Sequence, residues 1–236
     1  MKGSGFGVRD WGFGRLIGLG LIVGVNSMAL RGAPPTGESE PDLEISVRVY
    51  NYARVPAETL MRAEAEASRI FREAGVEMDW VDCPTSVAEA ADYPACEPPA
   101  GARGVELRIL PKAMALRVQS GREQLGLALP SARTGSASAA WVFYHRVEEL
   151  AASQDADRAQ ILAHALAHEI GHLLLGPDRH SEKGIMRAAW GRHELQLGAQ
   201  GQLLFSTPEA KIIQVEVRAR ERHAEASQAV GLPGRE

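Results

Sequence analysis

A chain of 236 residues, 45% apolar and 24% charged, is long enough to bury one sizeable core and lies far from the composition of disordered chains. A net charge of −4 at pH 7 gives no reason to expect a nucleic-acid or anionic-membrane partner. Composition therefore excludes those classes and leaves the function to local pattern.

Lys2, Arg9 and Arg15 precede or open an apolar run over residues 16–25, and Ser27-Met28-Ala29 places small residues where a signal peptidase cuts. The run is too short for a bilayer core, which takes about 20 residues. Residues 1–29 are expected to be a signal peptide. The protein is then secreted or held in the periplasm or cell envelope, without a stable membrane partner once the signal is cleaved. Residues 30–42 (LRGAPPTGESEPD) show no strand or helix period and read as a flexible linker to a single domain over 43–223.

Within that domain, residues 43–52 (LEISVRVYNY) alternate as a half-buried strand does. Pro56 opens a helix with apolar positions at Leu60, Ala63, Ala67, Ile70, Phe71 and Ala74, and Gly75 closes it. Strands are expected at 76–81, 105–110, 125–129 and 139–144, with a hydroxyl-rich loop at 130–138. Cys83 and Cys96 are the only cysteines; in an exported chain they are expected to form a disulfide. A helix capped by Ser153 or Asp155 should cover 156–175 and stop at Gly176-Pro177. Ser206 and Glu209 have capping-box spacing for a last helix, and residues 224–236 read as a disordered tail. Strands followed by helices point to an α+β domain: a mixed, twisted sheet packed on an N-terminal helix and a central helix, with a C-terminal helix after them.

The central helix carries the chemistry. It holds His168-Glu169-Ile170-Gly171-His172. Histidines four apart stack on one helix face and can offer two nitrogens to one zinc ion, with Glu169 beside them to take a proton from water as general base. A catalytic zinc needs a third protein ligand and an open fourth position, and the turn after Gly176 supplies two candidates, His180 and Asp178. His164 lies a turn too far along the helix axis to share the ion with His172 and is assigned to packing. His145, His193 and His223 read as surface or structural residues.

The segment 164–186 (HALAHEIGHLLLGPDRHSEKGIM) resembles the metzincin branch of the zincin metallopeptidases. Asp178 sits at the spacing of the family's third ligand. His180-Ser181 followed by Gly184-Ile185-Met186 is similar to the matrixin ending, where the ligand histidine precedes serine and a methionine-containing turn follows. The resemblance implies a zincin-like single catalytic domain, a zinc cofactor held by His168, His172 and a third ligand, for which His180 is preferred over Asp178, and Met186 as the floor beneath the metal. It further implies a peptide or protein substrate added as a strand to the sheet edge at 125–129. Tyr144 and Trp190 are candidates for a pocket wall. A zinc-dependent endopeptidase acting as a monomer is the expectation. A metal-binding export protein without proteolytic activity, and a zinc amidase acting on a cell-wall peptide, are the alternatives.

Overall fold

The computed structural model describes residues 43–97, 104–118, 124–129, 138–176 and 179–230, all within one compact unit spanning Ser39–Glu236. The expected signal peptide and linker, nearly all of the 130–138 loop, Asp178 and the last six residues lie outside the described residues.

Among the described residues, thirteen elements follow in chain order. They are β1 (Glu44–Asn51), α1 (Ala57–Glu73), β2 (Glu77–Cys83), α2 (Val87–Ala90), a 3-10 turn (Pro94–Cys96), β3 (Val105–Leu110), α3 (Lys112–Ala115), β4 (Gly126–Leu129), β5 (Ser138–Phe143), α4 (Tyr144–Gln154), α5 (Arg158–Leu175), α6 (Arg192–Ala199) and α7 (Thr207–Val230). The architecture is mixed α+β. Its five-stranded sheet has the order β2-β1-β3-β5-β4, in which β2, β1, β3 and β5 run parallel and the edge strand β4 pairs antiparallel with β5.

The period-2 pattern sets the sheet's buried face. Ile45, Val47 and Val49 on β1, Val105, Leu107 and Ile109 on β3, and Ala140 and Val142 on β5 are buried, and the register aligns Val47 with Val105 and Ile109 with Val142. Against this face lie α1, through Leu60, Ala63, Ala67, Ile70 and Phe71, and α5. Phe71 meets Phe205, the residue before α7's cap, at 5.0 Å between ring centroids. Every residue of α5 from Ile161 to Leu175 is buried. Such an all-round buried helix is expected to be apolar throughout, so its four ionisable residues, His164, His168, Glu169 and His172, each require a partner or a purpose.

The strand and α1 expectations hold to within a residue or two at most ends, and Cys83 is bonded to Cys96. Elsewhere the structure corrects the reading. The strand ending near Tyr144 passes directly into α4, which places His145 in the first turn of a helix and not at a strand end. Asp155, expected as a cap for the central helix, instead ends α4 in the left-handed region at φ +50°. The cap of α5 is Asp157, whose carboxylate accepts the Ala159 N–H at 2.8 Å and the Gln160 N–H at 3.3 Å. Helix α6 is an addition, and α7 continues past His223 to Val230, where a tail was expected.

Candidate metal centre

Three histidines converge at the C-terminal half of α5. His168 and His172, one turn apart, bring their Nε2 atoms to 3.1 Å, and His180, arriving on the loop after the helix, completes a set whose nitrogens all lie within 4.8 Å of one another. Gly176 at φ +102° makes the chain reversal possible, since a side chain there would strain the backbone. The loop is tied down at both ends of its turn. The Ser181 N–H donates to the Met186 carbonyl at 3.0 Å, and the Ser181 hydroxyl donates to Glu209, the carboxylate that also caps α7 by accepting the Ser206 N–H at 2.7 Å.

Hydrogen bonding fixes the chemistry of His168. Its Nδ1 lies 2.8 Å from the Ile185 carbonyl, which can only accept, so the proton sits on Nδ1 and Nε2 presents a lone pair to the cluster. Burial, joined by the neighbouring His172 and His180, pushes its pKa down to about 4 against the pull of that carbonyl, so the ring is neutral at physiological pH. A neutral imidazole with an oriented lone pair is what a metal requires. Tetrahedral zinc with Zn–N bonds of ~2.0–2.1 Å separates its nitrogens by about 3.3 Å, and the 3.1 Å approach of the two Nε2 atoms fits that spacing. The three imidazoles therefore form a donor set able to hold a metal ion.

The Glu169 side chain lies against β4 at Gly126 and lines the same cleft as the histidines. A Cβ at Gly126 would come within 2.5 Å of Glu169 Cγ and 2.7 Å of its Cδ, so the carboxylate occupies the space a side chain on that strand would fill. Burial alone raises its pKa to about 8. A cleft of about 730 Å³ opens beside it, lined by β4 from Gly126 to Ala128, by Arg146, Leu150 and Ser153 of α4, by His168, Glu169, His172 and His180, and by Trp190. Met186 is fully buried under the helix. At Gly171 a Cβ would meet its Sδ at 2.7 Å, so the glycine between the two ligand candidates is needed for the methionine to pack there.

No family model matches this chain, and neither does any curated protein. Among solved structures the chain is similar to metalloproteinase-II from Bacteroides fragilis, at 13% identity and a TM-score of 0.40, over 77% of this chain and 55% of that one. The chain thus spans about half the length of that protein.

Of the residues singled out in the sequence, His168, Glu169, His172 and His180 share the site, and Met186 is buried against Gly171 of the same helix. Asp178 falls outside the described residues. His164 stays out of the cluster: its Nδ1–H donates to the Gln160 carbonyl at 2.7 Å and its ring packs against α6 at Gly198. His145, His193 and His223 also lie outside the three-histidine set. Trp190 lines the cleft, whereas Tyr144 is buried in the core. Gly126 and the Ile185 carbonyl were not legible as site components, because neither carries a side chain whose chemistry a pattern could flag.

Proposed function

We propose that the protein is an exported zinc-dependent endopeptidase of zincin type, with His168, His172 and His180 as metal ligands and Glu169 as general base. The observation that carries this reading is the convergence of three imidazoles, one turn of buried helix plus one loop, at the floor of a large cleft that also holds a buried carboxyl group. A pure storage site has no use for a carboxylate set between its ligands and turned into the cleft.

When bound, zinc would polarise the scissile carbonyl and ease deprotonation of the attacking water. The chain's own groups do the rest. The Ile185 carbonyl holds His168 in the tautomer that presents Nε2. A dication beside Glu169 would favour its ionised form over the neutral one that burial enforces in the metal-free protein. Ionised Glu169 takes the proton from water as the water oxygen attacks the peptide carbon, and returns it to the departing amine nitrogen, so that proton and charge balance over the cycle. Strand β4 is the edge strand of the sheet among the described residues and lines the cleft, the position from which a sheet edge would receive an extended peptide. Export rests on the charge and apolar pattern of residues 1–29, and the Cys83–Cys96 bond accords with an oxidising compartment.

The test is cleavage of a peptide library by the purified protein, with and without chelator, beside Glu169→Gln. Cleavage that the chelator abolishes, zinc restores and Glu169→Gln loses supports the endopeptidase. Zinc binding without cleavage of any peptide would replace it with a metal-binding module, and cleavage confined to cell-wall peptides with an amidase.

A further inference from the structure

The Ile185 carbonyl that orients His168 accepts a second hydrogen bond. The indole Nε1–H of Trp190 donates to the same oxygen at 3.3 Å, while His168 Nδ1–H donates at 2.8 Å. A carbonyl oxygen has two lone pairs, and here both are used. The N–H of Ile185 is committed as well, to the Leu204 carbonyl at 3.0 Å. The residue that sets the tautomer of His168 is thus held from both its ends. The Trp190 ring does more than donate. It stands edge-on to His168, 5.5 Å between centroids at 88°, and to His164, 6.2 Å at 84°, so it walls off the side of the imidazole that a ring flip would sweep through.

Trp190 is itself braced. The next residue, Gly191, starts α6 by donating its N–H to the Glu194 carboxylate at 2.8 Å, and Glu194 is buried and paired with Arg187, three residues before Trp190. Burial would raise the pKa of Glu194, but the hydrogen bonds to its carboxylate, including those from Gly191 and Arg187, outweigh it and keep the group ionised. The segment from Ile185 to Glu194 is a closed brace with the indole as its inner member.

We propose that Trp190 is a positioning residue of the metal centre, which fixes His168 in its Nε2-presenting tautomer by sharing the Ile185 carbonyl with it and by blocking rotation of its ring. The proposal rests on the metal-site reading above for its consequence, and on the hydrogen-bond geometry for its mechanism. Of His168 and Trp190 only His168 would hold the metal; Trp190 acts through the carbonyl. Outer partners that orient a ligating histidine are worth 10–100-fold in metal affinity, and an indole one bond further out belongs at the lower end of that range, about 10-fold.

The experiment uses the full disulfide-bonded protein in three forms: the parent, Trp190→Phe, which keeps a ring and loses the N–H, and the parent with benzothienylalanine at position 190, which keeps the indole shape and replaces N–H by sulfur. Long-range proton–nitrogen spectra of the metal-free proteins read the tautomer of His168, and competition against a chromophoric chelator reads zinc affinity. The expected result is a single Nδ1–H tautomer in the parent, a tautomer mixture in both variants, and zinc affinity lower by about 10-fold in both. A merely structural tryptophan would lower the melting temperature of Trp190→Phe and move neither readout in the isosteric form. An unchanged tautomer or an unchanged zinc affinity in the benzothienylalanine protein overturns the proposal. If the parent binds no zinc, the metal-site reading fails, and the tautomer comparison alone decides the role of Trp190, an unshifted His168 signal overturning it.

Discussion

Gly126→Ala separates the metal from the chemistry. The added Cβ would sit 2.5 Å from Glu169 Cγ, 2.7 Å from its Cδ and 2.5 Å from the backbone oxygen of Trp141 on the neighbouring strand. Carbon atoms prefer about 3.5–4.0 Å, so each contact is short by about 1 Å. Neither neighbour yields easily: one is the backbone of β5, paired with β4 through Gly126 itself, and the other is a side chain on a helix buried on every side. Overpacking of this kind costs about 1–3 kcal/mol, and at roughly 2–4 °C per kcal/mol for a domain of this size the melting temperature should fall by about 2–12 °C. The carboxylate is displaced by an amount comparable to the overlap, and a misplacement of about 1 Å in a catalytic group can cost 10²-fold. None of the three atoms nearest the added Cβ belongs to a histidine, so zinc content should stay at the parent value. Peptide-cleavage kinetics, zinc analysis and thermal melts on one preparation check all three. A variant that keeps full kcat/KM would refute the placement of Glu169 against β4, and one that loses its zinc would refute the separation of ligand and base.

The pH dependence of the metal-free protein follows from two buried groups of opposite sense. Glu169 is raised from its ordinary 4.5 to about 8, so the folded state holds its proton more tightly; that stability is present below about 4.5 and lost as pH rises toward 8, by up to about 5 kcal/mol. His168 is lowered from 6.5 to about 4, so its contribution is present above 6.5 and lost as pH falls toward 4. Urea denaturation should therefore show Glu169→Gln gaining on the parent between about pH 5 and 8, and an equal slope in both proteins would contradict it. Asp157→Ala removes the cap of α5 and should cost about 1 kcal/mol in chemical denaturation, with Asp157→Asn recovering most of it, because the paired Arg62 is exposed and contributes little. Replacing Cys83 and Cys96 together by serine opens a 13-residue loop and should cost about 3 kcal/mol of stability while zinc affinity is retained.

What was legible in the sequence was whatever depends on neighbours along the chain. The strand alternation in β1, the helical stripe of α1, and the four-residue step from His168 to His172 are local periods, and each survives in the fold. The missed α4 follows a run of strong β-formers with no turn residue between, so the period change at Tyr144 had no punctuation to announce it. The cap of α5 fell two residues beyond the expected Ser153 or Asp155, because Asp157 is of an equally good capping type and only the geometry of the preceding helix, which uses Asp155 as its left-handed end, decides among them. Helix α6 was hidden by its shortness. At the site, the helix pair was local but the third histidine was not: the turn after Gly176 offered both His180 and Asp178, and the preference for His180 came from the resemblance. Gly126, the Ile185 carbonyl and Trp190 matter only through tertiary contact, where a missing side chain and a backbone oxygen leave no sequence mark.

The proposed activity requires a metal held by His168, His172 and His180. Zinc content of the purified, dialysed protein, measured by mass spectrometry for the parent and for His168→Ala, His172→Ala and His180→Ala, tests it most directly. About one zinc per parent chain is expected, with a near-complete loss in each variant, since each lacks one of the three protein ligands. A parent that holds no metal, or a His180→Ala protein that keeps its full complement, would contradict it.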